Sequence, residues 1–145
     1  MSPSYLAVLD SSVIVKWFRQ EEVLAERALT LRQACLGGQL NVAAPELVIC
    51  EVGNVLRYKA DLGTEEVVEA VRSLFSFPLE IIPLSPELAG RAIEIARAYD
   101  EAVYDAIFVA LAESLGAEFI TADKRLAQRL SSLPFVCFLG QVTSG

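Results

Sequence analysis

Apolar residues in this chain gather into short unbroken runs, separated by longer stretches in which they recur every three or four positions. The first run, Tyr5 to Leu9, shows no alternation and ends abruptly in Asp10-Ser11-Ser12. A run of that length reads as a strand buried on both faces, as in a parallel sheet. Similar runs at Leu40–Ala44, Leu79–Pro83, Glu118–Ala122 and Leu133–Phe138 predict further strands. Helical spacing fills the gaps. Ser12–Phe18 opens as a short helix with Ser11 or Ser12 as its cap. Glu22–Leu36 carries Val23, Leu24, Ala28, Leu31 and Cys35 on one stripe, and Gly37-Gly38 stops it. Pro45 suits a first helical position, and the helix it starts runs to Ala60. Thr64–Phe77 follows as a capped amphipathic helix, closed by Pro78, and Ser85-Pro86-Glu87 starts another that runs to Tyr99. The helix Asp105–Leu115 is apolar nearly all round, so it is expected at the centre of the fold. Gly116 ends it. A short helix bearing Lys124, Arg125 and Arg129 follows Asp123.

The predicted order is β-α-α-β-α-α-β-α-α-β-α-β. Helical pairs between short apolar strands indicate a mainly parallel sheet of four to five strands covered on both faces. No repeat, low-complexity tract or linker divides the chain, so residues 1–139 form one domain and residues 140–145 a disordered tail.

Composition narrows the chemistry. The chain has 145 residues, 54% of them apolar, enough for a full core without disulfides or structural metal. Its longest uninterrupted apolar run, Ala106 to Ala112, is far too short to span a membrane. Met1-Ser-Pro-Ser lacks the positive start of a secretory signal, and the chain reads as cytoplasmic. Cys35, Cys50 and Cys137 are widely spaced in apolar settings and are expected to be buried, reduced thiols. There is no histidine. That excludes Ser-His-Asp and Cys-His catalysis and histidine-ligated zinc. Hydrolytic chemistry would then rest on carboxylates with a hard cation. The net charge of −7 counts mildly against a nucleic-acid substrate, but a bound dication reverses the local sign of an acidic pocket.

Four acids stand in apolar surroundings. Asp10 and Asp123 each end a buried strand. Glu51 lies among Leu47, Val48, Val52, Val55 and Leu56, where a carboxylate is costly unless paired or metal-bound. Asp105 sits in the first turn of the central helix. Each has an ordinary alternative: a helix cap for Asp10, Asp105 and Asp123, a solvent-reaching or ion-paired residue for Glu51. Ligands of open parallel sheets bind beyond the carboxyl ends of the strands. Middle strands would bring Asp10 and Asp123 together there, with Glu51 and Asp105 added from neighbouring helices. Asn54, one turn past Glu51, is placed to orient it. Carboxylates crowded in one concavity repel unless a cation is present, and oxygen-only ligands select Mg²⁺ or Mn²⁺. Composition and spacing reach a metal-dependent phosphodiesterase or phosphatase and no further.

The stretches Leu9–Phe18, Pro45–Leu56, Tyr104–Ala112 and Ile120–Leu126 together resemble PIN-domain ribonucleases, with the closest likeness to the VapC-type toxins of toxin–antitoxin pairs. The resemblance implies a three-layer α/β/α sandwich around a central parallel sheet. It implies Mg²⁺ or Mn²⁺ held by Asp10, Glu51, Asp105 and Asp123, with Ser11 and Thr121 as supporting hydroxyls. It further implies cleavage of RNA, inhibition of translation, a cognate antitoxin over the site and a homodimer. On that background Lys16, Arg19, Lys124 and Arg125 are candidate phosphate contacts, and the apolar stripes of residues 45–60 and 64–77 are candidate antitoxin or dimer surface. Two other functions remain open: a metal-free interaction module, and a haloacid-dehalogenase-like phosphatase. The latter needs a second acid two residues past its nucleophile, where this chain has Ser12.

Overall fold

A computed structural model of the chain describes residues 5–142. Its strands are β1 (Tyr5–Leu9), β2 (Leu40–Pro45), β3 (Leu79–Ile82), β4 (Glu118–Thr121) and β5 (Val136–Phe138). Its helices are α1 (Ser11–Ile14), α2 (Ala25–Leu36), α3 (Leu47–Arg57), α4 (Thr64–Ser76), α5 (Pro86–Tyr99), α6 (Val103–Leu115) and α7 (Lys124–Arg129). Short 3₁₀ turns occupy Val15–Trp17 and Leu139–Gln141. The strands form one five-stranded parallel sheet in the order β3-β2-β1-β4-β5. Helices cover it on both sides, as the sequence predicts for a three-layer α/β/α sandwich. The chain steps outward from β1 through β2 to β3, then returns to place β4 on the other flank of β1. The order of strands therefore reverses between β1 and β4, which is where open parallel sheets bind ligands.

The apolar runs become the core. Ala7, Val8 and Leu9 are fully buried, as are Ala43, Ala44 and Phe119 beside them. Every residue from Ala106 to Ala112 is buried in α6, which packs across β1, β2 and β4 with α5 against it. Gly116 closes α6 in the left-handed conformation (φ +63°) that favours glycine. Among the described residues no helix is long and apolar enough to cross a membrane.

Several boundaries differ from the sequence reading for local reasons. Pro45 is the last residue of β2, opposite Ile82, and not a first helical residue. The ladder to β1 has already stopped at Val8–Ala43, so the missing N–H is tolerated there. The helix expected from Glu22 starts at Ala25, because Leu24 takes a left-handed backbone (φ +67°). Neither Ser11 nor Ser12 caps α1: Asp10 holds the N-cap position through its backbone carbonyl, and both serines lie inside the helix. Cys35 is buried, but Cys50 on α3 faces solvent and Cys137 is half-buried; all three are free thiols. Of residues 140–145, Gly140 and Gln141 belong to the final 3₁₀ turn, and 143–145 lie outside the described residues.

Phe108, fully buried in α6, and Phe75, 66% exposed on α4, make a paired test of this core. Phe108→Ala is expected to cost about 3–5 kcal/mol in urea unfolding, and Phe75→Ala to stay within about 0.5 kcal/mol. Equal losses would contradict the assignment of α6 as the central helix.

Candidate active site

The site is built outward from Asp10. The β1 ladder ends at Leu9, paired with Ile120 of β4, and the Asp10 N–H still reaches the Ile120 carbonyl at 2.9 Å. That bond fixes Asp10 at the carboxyl edge, between the two strands where the sheet order reverses. The residue is only 6% exposed. Its Oδ2 accepts from the Thr121 hydroxyl at 2.7 Å and from the Ser12 hydroxyl at 2.8 Å. Those hydroxyls are themselves held. Thr121 Oγ1 accepts from the Asp123 N–H, and Ser12 Oγ from the Ala122 N–H, both at 3.0 Å. Neighbouring strand ends are thus laced together around one carboxylate. Burial raises the pKa of Asp10, the hydroxyls and the Ser11 N–H oppose that shift, and Asp123 adds to it.

Glu51 approaches from α3. The helix buries Val48, Val52 and Leu56, which leaves Glu51 half-buried at the border of that stripe. Its Oε1 accepts a short hydrogen bond from the Ser11 hydroxyl. Burial raises its pKa, Ser11 lowers it, and Asp10 raises it again. Asp105 lies at the third residue of α6, whose N-cap is Ala102, so it is not the cap. Its pKa is pushed up to about 6, by burial first and then by Asp10, Glu51, Glu101 and Asp123 in that order. All four predicted acids therefore share one electrostatic field. Asp123 is the exception in one respect: it does cap α7, accepting the Leu126 N–H at 3.1 Å.

The other predicted residues divide. Ser11 and Thr121 touch the acids directly. Asn54 is exposed, and its Oδ1 accepts from Arg57 at 2.8 Å, so it faces away from Glu51. Lys16 is tied to Glu22 at 3.3 Å, and Arg19 to Glu21 at 2.6 Å and Asp61 at 2.7 Å. Their side chains are 13% and 14% exposed, braced by surface acids and not presented to a ligand. Lys124 and Arg125 stand exposed in the first turn of α7, beside Asp123. Sequence reasoning missed Ser12, the second hydroxyl on Asp10. Its only signal was its place two residues beyond a strand-ending acid.

A hard dication fits this donor set in chemistry: oxygen ligands alone, with repulsion among half-buried and buried acids that a cation would relieve. It does not fit the side-chain positions as they stand. Among the described residues no three acids or thiols converge at ligand distance. Joint coordination therefore calls for side-chain rotation, with Glu51 starting from its bond to Ser11.

Comparisons with known proteins bear on the same residues. A family model described as PIN domain matches residues 7–130. Ribonuclease VapC3 of Pyrobaculum aerophilum is 30% identical over 132 residues, 87% of this chain and 95% of that protein. A toxin–antitoxin complex from Klebsiella pneumoniae superposes with a TM-score of 0.64 at 21% identity, over 96% of this chain and 98% of that one. Mycobacterium tuberculosis VapC20, described as a sarcin-ricin loop cleaving toxin, gives 0.64 at 16% identity, over 80% and 87% of the two chains. At those identities the structural likeness speaks for the fold alone.

The raised pKa of Asp105 has a direct consequence for stability. Its folded value of about 6 lies above the ordinary 3.8, so the stability it contributes is full below about pH 4 and is lost as pH rises through 6. In metal-free buffer at about pH 7.5, Asp105→Asn is expected to be more stable than the wild type by of order 1 kcal/mol, since solvent reduces the linkage value at a half-buried group. The gap should close below about pH 4. Urea midpoints that run parallel for the two proteins across this range would contradict the shared field.

Proposed function

The chain belongs to the PIN-domain family, and on that premise we propose that it is a Mg²⁺- or Mn²⁺-dependent endoribonuclease acting as the toxin of a toxin–antitoxin pair. The observation that carries the reading is that Asp10 and Asp123 follow the paired strands β1 and β4 at the point where the sheet order reverses, with Asp105 and Glu51 in the same field. With no histidine in the chain, carboxylates are the groups at this edge able to hold a cation or accept a proton near neutral pH. A bound dication would supply Lewis acidity toward the scissile phosphate and the attacking water. Asp10 is the fixed ligand, because its backbone and two hydroxyls leave it little freedom. Glu51 and Asp105 are the adjustable ones. Lys124 and Arg125 are placed to neutralise phosphates on the Asp123 side.

The relatives support the substrate and the partner. The VapC3 relative is named a ribonuclease, and the Klebsiella pneumoniae neighbour was solved as a toxin–antitoxin complex. Exposed apolar residues on α3 (Val55) and at its C-cap (Tyr58), and on α4 (Val68, Phe75), offer the surface for an antitoxin or for a second copy in a homodimer. Translation inhibition and a cytoplasmic setting complete this reading.

The separation of the acids favours a second reading, a metal-free interaction module. Cleavage of a tRNA and rRNA panel with and without EDTA separates the two. The nuclease reading expects cleavage with Mn²⁺ or Mg²⁺ and none with EDTA. It expects Asp10→Asn to reduce the rate by about 100-fold or more, the equivalent of several kcal/mol of transition-state stabilisation. Cleavage indifferent to EDTA, or an Asp10→Asn variant as active as the wild type, sinks it. Absence of both cleavage and metal binding leaves the interaction module.

A further inference from the structure

A second charged cluster, centred on the Glu101–Arg129 pair, lies beside the acids. Glu101, in the loop between α5 and α6, has a side chain only 4% exposed. Arg129, the last residue of α7, brings Nε to within 2.6 Å of its Oε1, and Arg125 approaches Oε2 at 3.7 Å. The close contact to Arg129 lies off the N–H axis, so that buried oxygen is compensated in charge without an aligned hydrogen bond. The same guanidinium donates to the backbone carbonyls of Tyr99 at 2.8 Å and Asp100 at 3.1 Å. Asp100 is one of two described non-glycine residues with a left-handed backbone (φ +54°), and it ends α5. One side chain therefore grips the whole turn that leads into α6.

The placement of this grip is informative. Glu101 lies four residues before Asp105, just outside the N-cap of α6. Arg129 closes a six-residue helix whose N-cap is Asp123. At 1.5 Å per residue, α7 is a rod about 9 Å long, with an acid at one end and the clamp at the other. We infer that the Arg129–Glu101 pair, with the two carbonyls Arg129 also holds, is a positioning clamp that sets Asp105 against Asp123 for metal binding. An arginine suits this task because its planar fork fixes direction as well as charge, which a lysine does not. The inference rests on the metal-dependent reading of the site, and it concerns residues outside the acid cluster.

Position and field can be told apart by sign. Removing the positive charge of Arg129 makes the site more negative, so a field effect alone would tighten Mn²⁺ binding. Loss of a clamp would weaken it. Mn²⁺ titration calorimetry on Arg129→Gln is expected to show about a tenfold rise in Kd, the scale of effect seen when groups behind metal ligands are lost. The charge-balanced double variant Glu101→Gln/Arg129→Gln should show a rise of similar size, although its net charge matches the wild type. In RNA cleavage kcat should fall by a comparable factor, with KM within about twofold of the wild type. Should Arg129→Gln fail to fold, Arg129→Lys decides: it keeps the charge, loses the fork, and is expected to weaken Mn²⁺ in the same direction. Unchanged or tighter Mn²⁺ binding in the folded variants overturns the clamp and leaves the nuclease reading intact. A wild-type protein that does not bind Mn²⁺ overturns the nuclease reading itself.

Discussion

Withdrawal of the Asp10 carboxylate from water is the constraint around which the rest of the molecule is arranged. A buried carboxylate is costly unless hydrogen-bonded. Here compensation comes from Thr121, which is on β4, and Ser12, whose hydroxyl is fixed by the Ala122 N–H. Both require β4 to lie directly beside β1. That adjacency is what makes the strand order reverse at this point. Position in the fold and solvation of one acid are thus the same arrangement seen at two scales. The remaining acids are attached to this centre by the field and not by contact. Glu51 is restrained by Ser11, Asp123 by the first turn of α7, and the pKa of Asp105 is pushed up by burial first and then by the neighbouring acids.

The same arrangement explains how a chain of net charge −7 can be built to handle a polyanion. Negative charge is concentrated where a dication would sit, and several surface cations are already engaged. Lys16 and Arg19 lie against Glu22, Glu21 and Asp61; Arg91 lies against Glu94 and Glu113. Lys124 and Arg125 remain exposed just after Asp123, although Arg125 also lies 3.7 Å from Glu101. On the proposed nuclease reading, attraction for a phosphate at this edge would come from a bound cation more than from the protein's own surface.

Much of the architecture was legible because buried parallel strands and an all-round apolar helix leave strong patterns. Tyr5–Leu9 and Ala106–Ala112 could be placed at the centre from their apolar residues alone. Boundaries were less legible where one backbone angle or one missing N–H decides them, as at Leu24 and Pro45. The four acids were visible as carboxylates in apolar company, but their ordinary alternatives resolve differently. The cap reading fails at Asp105, whose helix begins earlier, and the Asp10 side chain makes no capping bond. It holds for Asp123. Orientation on a helix was the least legible feature. Asn54 and Cys50 flank Glu51 on α3, and both face solvent. Burial of Glu101 was hidden for the opposite reason: it sits in a polar loop, and only the return of α7 covers it.

The central claim is that acids distant along the chain serve one cation at the β1–β4 edge. Anomalous diffraction from crystals soaked in Mn²⁺ tests it most directly. The account predicts a peak at about 2.1 Å from oxygens of Asp10 and Asp105. A peak elsewhere on the surface, or none at saturating Mn²⁺, would contradict it.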